Sequence, residues 1–387
     1  MTTILTDKKH ILILPRWYPN KMDIQLGSFI QEQAILLKDD FHVHVIYVQS
    51  NEGQEPMFDD IITDENEIDE RIVYFKSAKG PFRKVKNAKR YKEAQERAFN
   101  SNNFNPSLCH VHVPYRSAFL ALKLYKTGIP YVITEHWSGH LTGEFDKKIK
   151  ADKGLYRQVL QKASGIATVS ERLRAQFKKN TGFDSVVIPN YIKKSRIEIT
   201  EKADDFINIL SVSDLVNSIK NVSGLILAFK EALLQNPKLR LTIIGGGPDQ
   251  EKIKELVTQL EFGNSLVLKG RMEHRMVLDA YPYCDFYVCN SNYETFGMTV
   301  AEALMAGKPV VSTRCGGPDE YLNEKNSILI ESGDEEQLTN AILKMADSYA
   351  SYDKESISTA IESKYGSEAV KQKLLSFYSK AINGTSS

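Results

Sequence analysis

Short apolar runs alternate with amphipathic segments along almost the whole chain. In the first half these runs predict strands at KHILIL, FHVHVIYV, RIVYF, LCHVHV, PYVIT, GIATVS and SVVIP, and helices near 29–37, 85–99, 116–126 and 171–179. Nearly continuous apolar strands are typical of a parallel sheet that helices cover on both faces. The alternation therefore predicts right-handed βαβ units in a doubly wound α/β domain.

The pattern stops over residues 191–206 and then begins again. That stretch is charged and has no core pattern, so we interpret it as a linker. Beyond it, strands are predicted at INILSVS, LRLTIIG, SLVLKG, DFYVCN and PVVST, and helices near 221–235, 249–261 and 273–281. The predicted organisation is a first doubly wound domain over 1–190, a second over 207–365, and a C-terminal helix over 366–387 that packs back on the first domain.

The composition limits the class of protein but does not identify its function. A chain of 387 residues is too long for one ordinary core, and 42% hydrophobic with 26% charged residues is typical of soluble domains. The formal net charge of +1 provides no overall field that would attract nucleic acid. Signal-peptide and membrane-spanning patterns are absent from the sequence, so a cytoplasmic protein is expected. The four cysteines fit neither a disulfide framework nor a zinc spacing and are predicted to be buried thiols: Cys109, Cys284, Cys289 and Cys315.

Glycines follow several strands of the second domain, at the edge where parallel sheets bind ligands. LTIIGGGPD places Gly245, Gly246 and Gly247 directly after a strand. A dinucleotide fingerprint would need a further glycine at the position of Gln250, so that interpretation is weak. A tight strand-to-helix turn and direct contact with a ligand both remain open. Two such domains would face the carboxyl ends of their strands into one cleft.

The stretch ETFGMTVAEALMAGKPV ends a strand, crosses a loop and enters a helix. Backbone amides of residues 296–298 at the helix start favour an anion. Glu294 and Glu302 would repel a phosphate, so they are expected to accept hydrogen bonds from hydroxyl groups instead. A nucleotide-sugar carries hydroxyls on both sides of a diphosphate and fits this spacing. The alternative for Glu302 is a capping box with Thr299.

This E-x7-E stretch, followed by GGPDE, resembles the donor-site signature of the family four glycosyltransferases, which are retaining enzymes of the GT-B fold. LTIIGGGP, KGRMEHRM and VVIPNYI are similar to further landmarks of that family, whereas GSFIQEQA and VITEHWSG match in outline. The resemblance implies two Rossmann-like domains facing across a cleft, with an acceptor-side first domain and a nucleotide-sugar-binding second domain.

The resemblance also implies roles for individual residues. Glu302 would bind the ribose hydroxyls, Glu294 the hydroxyls of the donor sugar, and Lys220 the phosphates. The remaining donor-binding residues implied are Gly27, Ser28, Gly246, Arg271, Met272, Phe296, Gly297 and Met298. One departure is Asp214, which stands where the family usually has an arginine beside the phosphates. Because the sequence contains no Asp-x-Asp motif, the diphosphate is expected to be held without a metal, and no cofactor is expected.

The first domain supplies candidates for the rest of the site. His136, in PYVITEHWSG, is similar in position to a histidine that lines the donor sugar, with Glu135 as an orienting partner. Candidate acceptor contacts are Trp17, Tyr18 and His112. Stacking on a sugar and ordinary packing are both open for the two aromatic rings. The His-x-His pairs also suggest a metal site, but no neighbouring ligand completes one.

A basic segment over 76–97 is the last candidate surface. It holds Lys76, Lys79, Arg83, Lys84, Lys86, Lys89, Arg90, Lys92 and Arg97. Three interpretations are open: peripheral contact with anionic lipid headgroups, binding of a pyrophosphate-linked acceptor, or a solvated helix face.

The sequence therefore predicts a metal-independent, retaining glycosyltransferase of the hexosyltransferase type, acting in cell-surface polysaccharide or glycolipid synthesis. Its catalytic residues would be His136, Lys220 and Glu294. Its partners would be a nucleotide-sugar and a sugar or lipid-linked acceptor, without nucleic acid. The alternatives are a nucleotide-sugar epimerase or hydrolase on the same scaffold, or a catalytically silent sugar-binding subunit.

Overall fold

The computed structural model describes residues 8–53, 57–102, 104–149, 153–195, 197 and 205–384. The chain divides into two compact units. Unit 1 comprises residues 1–169, 173–189 and 370–387, and unit 2 comprises residues 170–172 and 190–369. Much of the predicted linker over 191–206 lies outside the described residues.

Unit 1 is built on an eight-stranded sheet. Its strands are β1 (His10–Pro15), β2 (His42–Asn51), β3 (Phe58–Thr63), β4 (Asp69–Lys76), β5 (Leu108–His112), β6 (Tyr131–Glu135), β7 (Gly165–Thr168) and β8 (Val186–Val187). They lie in the order β3-β4-β2-β1-β5-β6-β7-β8, and all pairs are parallel except β3 with β4. The sequence pattern did not predict β3, because two aspartates and no fully buried side chain leave this edge strand without an apolar run.

Helices lie between these strands, as the alternating pattern predicted. They are α1 (Ser28–Leu36), α2 (Arg83–Asn100), α3 (Phe119–Tyr125), α4 (Glu144–Ile149), α5 (Lys153–Lys162) and α6 (Glu171–Thr181). α2 shows the amphipathic logic most clearly, since Tyr91, Ala94 and Ala98 are buried at helical spacing. Those side chains join the apolar residues of β2 and β4 in the core on that face of the sheet.

Unit 2 is a fully parallel six-stranded sheet in the order β11-β10-β9-β12-β13-β14. The strands are β9 (Ile207–Val212), β10 (Leu239–Ile244), β11 (Leu266–Gly270), β12 (Phe286–Cys289), β13 (Val310–Thr313) and β14 (Ser327–Ile330). The helices are α7 (Asn217–Lys220), α8 (Val222–Gln235), α9 (Gln250–Leu260), α10 (His274–Leu278), α11 (Met298–Met305), α12 (Glu335–Ser348) and α13 (Lys354–Tyr365). Phe229 of α8 and Ile342 of α12 are completely buried in the core of this unit.

The last helix, α14 (Ser367–Asn383), contributes residues to unit 1. Phe377 fills the space beside Gly165, where a Cβ atom would lie 2.6 Å from its ring. The hydroxyl of Tyr378 lies 2.6 Å from His110 Nδ1, and Lys371 pairs with Asp40 at 2.7 Å. The predicted fold class is therefore confirmed: two parallel α/β Rossmann-like units, with a C-terminal helix that packs on the first.

Each sheet has one point where the strand order reverses. In unit 1 the first strand, β1, lies between β2 and β5, and in unit 2 β9 lies between β10 and β12. Connections leave such a point in opposite directions, which opens a crevice at the carboxyl ends of the two central strands. The loops after β1, β5, β9 and β12 are therefore the first places to look for a site.

Within the described ranges, no helix combines the length and the apolar character that crossing a bilayer requires.

Candidate functional site

An ion pair between Lys220 and Glu294 marks the crevice of unit 2. Lys220 ends α7, after β9, and Glu294 lies in the loop between β12 and α11. Lys220 Nζ is 2.6 Å from Glu294 Oε1, and Ser291 Oγ donates a hydrogen bond to the same oxygen at 2.8 Å. The two charged side chains are 20% and 13% exposed. The structure thus brings together two predicted site residues that are 74 positions apart in the chain.

The charge state of Lys220 follows from this contact. Burial lowers the pKa of its ammonium group, but the carboxylate of Glu294 raises it, and the net shift is upward. Lys220 is therefore a cation at neutral pH, within reach of any anion that enters the crevice.

The loop after β13 holds the backbone of Glu294 in place. The amide of Glu294 donates to the carbonyl of Cys315 at 2.8 Å, and the amide of Gly317 donates to the carbonyl of Glu294 at 2.9 Å. These contacts explain the glycines of RCGGPDE, which follow β13. The turn that they form lies against the backbone of the loop that carries Glu294. A Cβ atom on Gly317 would lie 2.4 Å from the carbonyl oxygen of Thr295.

Gly297 is required by packing at the start of α11. Its φ of 82° is left-handed, and a Cβ atom would lie 2.4 Å from Pro318 Cγ. Packing against Pro318 and Tyr321 therefore accounts for glycine at this position. Phe296 is buried against Tyr321, whereas Met298, the first residue of α11, is partly exposed. The helix start lies close to Glu294 in the chain, because α11 begins at Met298, and binding of an anion by its backbone amides stays a prediction.

Glu302 lies inside α11 and is almost fully buried. His274 Nε2 is 2.7 Å from Glu302 Oε1, and the hydroxyl of Tyr281 donates to Glu302 Oε2 at 2.9 Å. The proposed capping box with Thr299 is not formed, because Gly297 is the N-cap residue and Thr299 Oγ1 instead accepts a hydrogen bond from Tyr287. Sequence reasoning did not identify His274 or Tyr281, because only the fold places them next to Glu302.

Arg271 forms an ion pair with Asp214, which lies in the loop after β9. Its Nη2 atom lies 2.9 Å from Asp214 Oδ1 and 3.0 Å from the carbonyl of Gly246. Asp214, which departs from the family pattern, is thus the counter-ion of the arginine that follows β11. Met272 comes next and is partly exposed.

The three glycines after β10 form a tight turn against the loop after β9. A Cβ atom on Gly245 would lie 1.8 Å from the carbonyl oxygen of Ser213, and one on Gly247 would lie 2.7 Å from that of Leu215. At Gly246 the nearest atoms, from Arg271 and Gln250, are side-chain atoms at 3.2 Å. Packing therefore explains Gly245 and Gly247, and ligand contact remains a proposal for Gly246 alone.

A histidine pair lies at the carboxyl edge of unit 1. His112 ends β5 and His136 follows β6, and His112 Nδ1 is 3.0 Å from His136 Nε2. Among the residues that the structure describes, the other two ring nitrogens, His136 Nδ1 and His112 Nε2, are buried without a hydrogen-bond partner. Burial lowers the pKa of His136 to about 4, so its imidazole is neutral at pH 7.

The β1–α1 loop comes close to this pair. The ring of Phe29, in the first turn of α1, lies 4.9 Å from the ring of His136, centroid to centroid. Gly27 precedes the helix with a φ of 68°, and a Cβ atom there would lie 2.4 Å from the carbonyl oxygen of Trp17. Ser28 begins α1. The structure thus places Gly27, Ser28, His112 and His136 at one edge of the sheet.

Two expectations about unit 1 are corrected. Tyr18 is completely buried and donates a hydrogen bond to Glu70 Oε1, so its ring is not available to stack on a sugar. Trp17 is partly exposed. Glu135 does not orient the ring of His136: its carboxylate accepts from the backbone amides of His136 and Trp137, at 2.9 Å and 2.8 Å.

Glu135 instead belongs to a buried cluster that sequence reasoning missed. Its Oε2 atom accepts from the hydroxyl of Tyr156 at 3.2 Å and lies 3.4 Å from His140 Nε2. Burial raises the pKa of Glu135, but the ring of His140 and the amide of Trp137 lower it, and the net shift is downward. The carboxylate is therefore ionised and fixes the turn that carries His136.

No cluster of three or more histidine, cysteine, aspartate or glutamate side chains suited to a metal ion occurs in the described segments.

The buried histidines predict a stability that falls in mild acid. Burial lowers the pKa of His110 to about 3 and of His136 to about 4, and it lowers that of His112 well below its ordinary value. Below pH 6.5 the unfolded chain binds protons that the folded chain does not, so stability falls with pH until the folded pKa is reached. Each site is expected to cost about 2 kcal/mol between pH 7 and pH 5.

This loss can be followed specifically in unit 1, because both tryptophans, Trp17 and Trp137, lie there. Urea unfolding monitored by tryptophan fluorescence should show the loss between pH 7 and pH 5, and His110→Gln should reduce it by about 2 kcal/mol. Leu234→Ser provides the control, because it changes an exposed side chain of unit 2 without adding or removing a titratable group, and it should leave the pH dependence unchanged. Equal pH dependence in His110→Gln and the wild type would contradict the prediction.

Both halves of the chain match family models of known proteins. Residues 29–196 match the family model "Glycosyltransferase Family 4", and residues 193–361 match "Glycosyl transferases group 1". The two matches together indicate a GT-B glycosyltransferase.

Individual relatives agree with this assignment. The proposed teichuronic acid biosynthesis glycosyltransferase TuaC of Bacillus subtilis (strain 168) is 25% identical over 281 residues, which cover 70% of this chain and 69% of TuaC. The lipopolysaccharide core biosynthesis glycosyltransferase LpsD of Rhizobium meliloti is 26% identical over 211 residues, covering 51% of this chain and 58% of LpsD.

Solved structures share the architecture. Sucrose-phosphate synthase of Thermosynechococcus elongatus superposes with a TM-score of 0.77 at 17% identity, covering 97% of this chain and 100% of that protein. HepE of Anabaena, in complex with UDP and glucose, superposes with a TM-score of 0.71 at 16% identity, covering 96% and 99%. At this level of identity the likeness supports the fold alone.

Proposed function

We propose that this chain, a GT-B glycosyltransferase by its two family matches, transfers a sugar from a nucleoside diphosphate donor to an acceptor hydroxyl with retention of anomeric configuration. The observation that supports the proposal is the Lys220–Glu294 pair, a cation and a carboxylate 2.6 Å apart in the loops that follow β9 and β12. A diphosphate needs positive charge, whereas a sugar needs hydrogen-bond acceptors, and this pair offers both.

The donor would bind along unit 2. Lys220 and the amides at the start of α11 would hold the diphosphate, and Glu294 would accept from hydroxyls of the sugar. Glu302 would accept from the ribose. His274 and Tyr281 already fix its carboxylate, and each carboxylate oxygen can accept a further hydrogen bond. Arg271, Met272 and Gly246 would border the base.

The chemical step would depend on electrostatic stabilisation. As the glycosidic bond to the diphosphate breaks, negative charge grows on the leaving phosphate, and Lys220 with the helix-start amides would stabilise it. The acceptor proton would pass to that phosphate oxygen, so no side chain needs to be a strong base. The neutral His136 would orient a hydroxyl of the transferred sugar through its free ring nitrogen. In this scheme the protein supplies the positive charge without a metal or an organic cofactor.

The relatives suggest the acceptor class. TuaC and LpsD are named for the synthesis of teichuronic acid and of lipopolysaccharide core. We therefore place the product in cell-surface polysaccharide or glycolipid, with a sugar or lipid-linked acceptor.

A donor screen followed by product analysis tests the proposal. Thermal unfolding should shift upward with one nucleoside diphosphate and its sugar conjugates, because a ligand at about one hundred times its Kd adds about 2.7 kcal/mol to the folded state. UDP is the first to try, since HepE was solved with it. With the binding donor and glycerol as a small acceptor alcohol, NMR should then show a glyceryl glycoside of the same anomeric configuration as the donor.

Other outcomes would select the alternatives. An inverted product would overturn retention alone. Complete consumption of the donor without glycerol would indicate a hydrolase or an epimerase, and donor binding with no turnover against glycerol or oligosaccharides would indicate a silent subunit. Absence of any nucleotide-dependent shift would overturn the whole proposal.

A further inference from the structure

The connection between β4 and α2 forms an exposed basic and apolar surface, which we call the β4–α2 patch. It consists of Lys79, Phe82, Arg83, Lys84, Val85, Lys86 and Lys89. All seven side chains are exposed, and Phe82 and Val85 are each 70% exposed. The sequence has no aspartate or glutamate between Lys76 and Lys92. The patch therefore combines unbalanced positive charge with apolar side chains in water.

The first turn of α2 is unfavourable for an isolated soluble helix. Arg83, Lys84 and Lys86 stand at its start, and no acidic residue lies in the first turn. The positive end of the helix dipole repels these cations. The helix is anchored instead by its later turns, where Tyr91, Ala94 and Ala98 are buried. A solvated helix face does not explain this arrangement, because it would favour acids at the start and would not expose Phe82.

A second loop exposes apolar side chains at the same edge of the unit 1 sheet. Met22 and Ile24, in the β1–α1 loop, are 58% and 54% exposed. The amide of Lys21 donates to the hydroxyl of Tyr74 in β4 at 2.9 Å, and its ammonium group lies 4.0 Å from the centre of that ring. This loop is thereby fixed beside the end of β4, from which the β4–α2 patch leaves.

We propose that the β4–α2 patch, together with Met22 and Ile24, docks unit 1 on the surface of a bilayer that contains anionic lipid. Basic side chains near such a surface are attracted by its potential, and apolar side chains between them insert at the headgroup level. Both features that are unfavourable in water, the cations at a helix start and the exposed Phe82, become favourable there. Nucleic acid is a poorer fit, because a single exposed aromatic ring offers no series of stacking surfaces.

The position of the patch identifies the acceptor more closely, and this step rests on the proposed function. Gly27 and His136 lie at the same carboxyl edge of the sheet as the patch. A docked unit 1 would therefore hold this edge at the headgroup level. The acceptor class that fits is a lipid whose polar head carries the accepting hydroxyl.

Vesicle co-sedimentation with the full chain tests the docking. Wild type should bind phosphatidylcholine vesicles that contain 30% phosphatidylglycerol (about one lipid in three) more tightly than pure phosphatidylcholine vesicles, and added salt should weaken the binding. The variant R83Q/K84Q/K86Q should lose about a hundredfold in affinity, at about fivefold for each cation. The variant F82S/V85S should lose roughly tenfold at unchanged charge.

Matched controls come from unit 2. Leu234 of α8 is also 70% exposed, and Lys252 of α9 is an exposed lysine, so L234S and K252Q should bind like the wild type. A charge variant that loses binding while F82S/V85S keeps it would overturn lipid insertion and indicate a purely electrostatic anion-binding surface. Competition by inorganic pyrophosphate and by a short RNA would then identify the anion that this surface prefers. Equal binding to neutral vesicles would overturn the proposal as well.

Donor binding separates this proposal from the proposed function. The nucleotide-dependent thermal shift should be the same in the patch variants and the wild type, because the patch belongs to unit 1 whereas Lys220, Glu294 and Glu302 belong to unit 2. Loss of vesicle binding with an intact thermal shift supports the docking surface. Vesicle binding by a chain that shows no nucleotide shift would leave the docking surface standing and overturn the donor assignment.

Discussion

Replacing Lys220 by alanine is expected to lower kcat by on the order of 10²- to 10³-fold, the usual cost of removing one preorganised group that stabilises a developing anion. KM for the donor should change much less, because the charge on the leaving phosphate grows mainly in the transition state. The measurement is the release of nucleoside diphosphate under saturating donor and acceptor.

The variant needs a check on folding, because it removes the counter-ion of Glu294. An unpaired, largely buried carboxylate is costly, so Lys220→Ala alone could lose activity through instability. The double variant Lys220→Met/Glu294→Gln removes both charges and should restore thermal stability without restoring turnover. Lys252→Ala, on the exposed face of α9, is the matched control and should be fully active. Turnover above about a tenth of the wild-type rate in a folded Lys220→Ala protein would overturn the electrostatic mechanism.

The same pair shows what the sequence could and could not predict. The strands INILSVS and DFYVCN were predicted from apolar runs, and the rule for parallel sheets places the loops that follow them at one edge of the sheet. That step needs only the order of the elements. The family resemblance then indicated Lys220 and Glu294 within those loops. The contact of 2.6 Å between them, by contrast, depends on how α7 ends and how the loop after β13 holds Glu294.

Glu302 illustrates the limit more sharply. Its place in a helix was predictable from spacing, but the capping box with Thr299 was not formed because Gly297 takes the N-cap position. Its actual partners, His274 and Tyr281, come from the segment between β11 and β12, and no local pattern links them to a glutamate on α11. Contacts between distant segments of this kind need the folded chain.

The predicted acceptor contact of Tyr18 was wrong, and β3 was not predicted, for a related reason. An aromatic residue after a strand can face solvent or core, and the deciding contact, with Glu70, lies on another strand. β3 pairs antiparallel at the sheet edge, where polar residues blunt the apolar run that reveals an inner strand. The pattern therefore predicted the inner strands of both sheets and missed the edge strands β3 and β14.

Asp214 shows how one departure from a family pattern is accommodated. The side chain of Asp214 is 62% exposed, and Arg271 pairs with it at 2.9 Å. A guanidinium group therefore remains next to the end of β9, supplied from the loop after β11. On the proposed function, Asp214 positions a cation instead of removing one, and the departure gives little support to a silent subunit.

Replacing His136 by alanine is expected to lower kcat/KM by about tenfold, the value of one hydrogen bond to a hydroxyl of the transferred sugar. The loss should be the same from pH 6 to pH 8, because burial lowers the pKa of His136 to about 4 and the ring is neutral throughout. Loss of a general base would be larger, on the order of 10²- to 10⁴-fold in turnover. The size of the loss therefore distinguishes orientation from proton transfer.

The partner of His136 provides the companion variant. His112 Nδ1 lies 3.0 Å from His136 Nε2, so one of the two rings must donate to the other, and the identity of the donor fixes which tautomer His136 presents. His112→Asn can both donate and accept, and it should lose less activity than His112→Leu, which removes the hydrogen bond. The exposed His42 at the start of β2 is the control here, and His42→Gln should be fully active. If His136→Ala turned over at the wild-type rate while Lys220→Ala was inactive, the role of the histidine would be discarded and the electrostatic mechanism kept, because the two residues act on different groups of the donor.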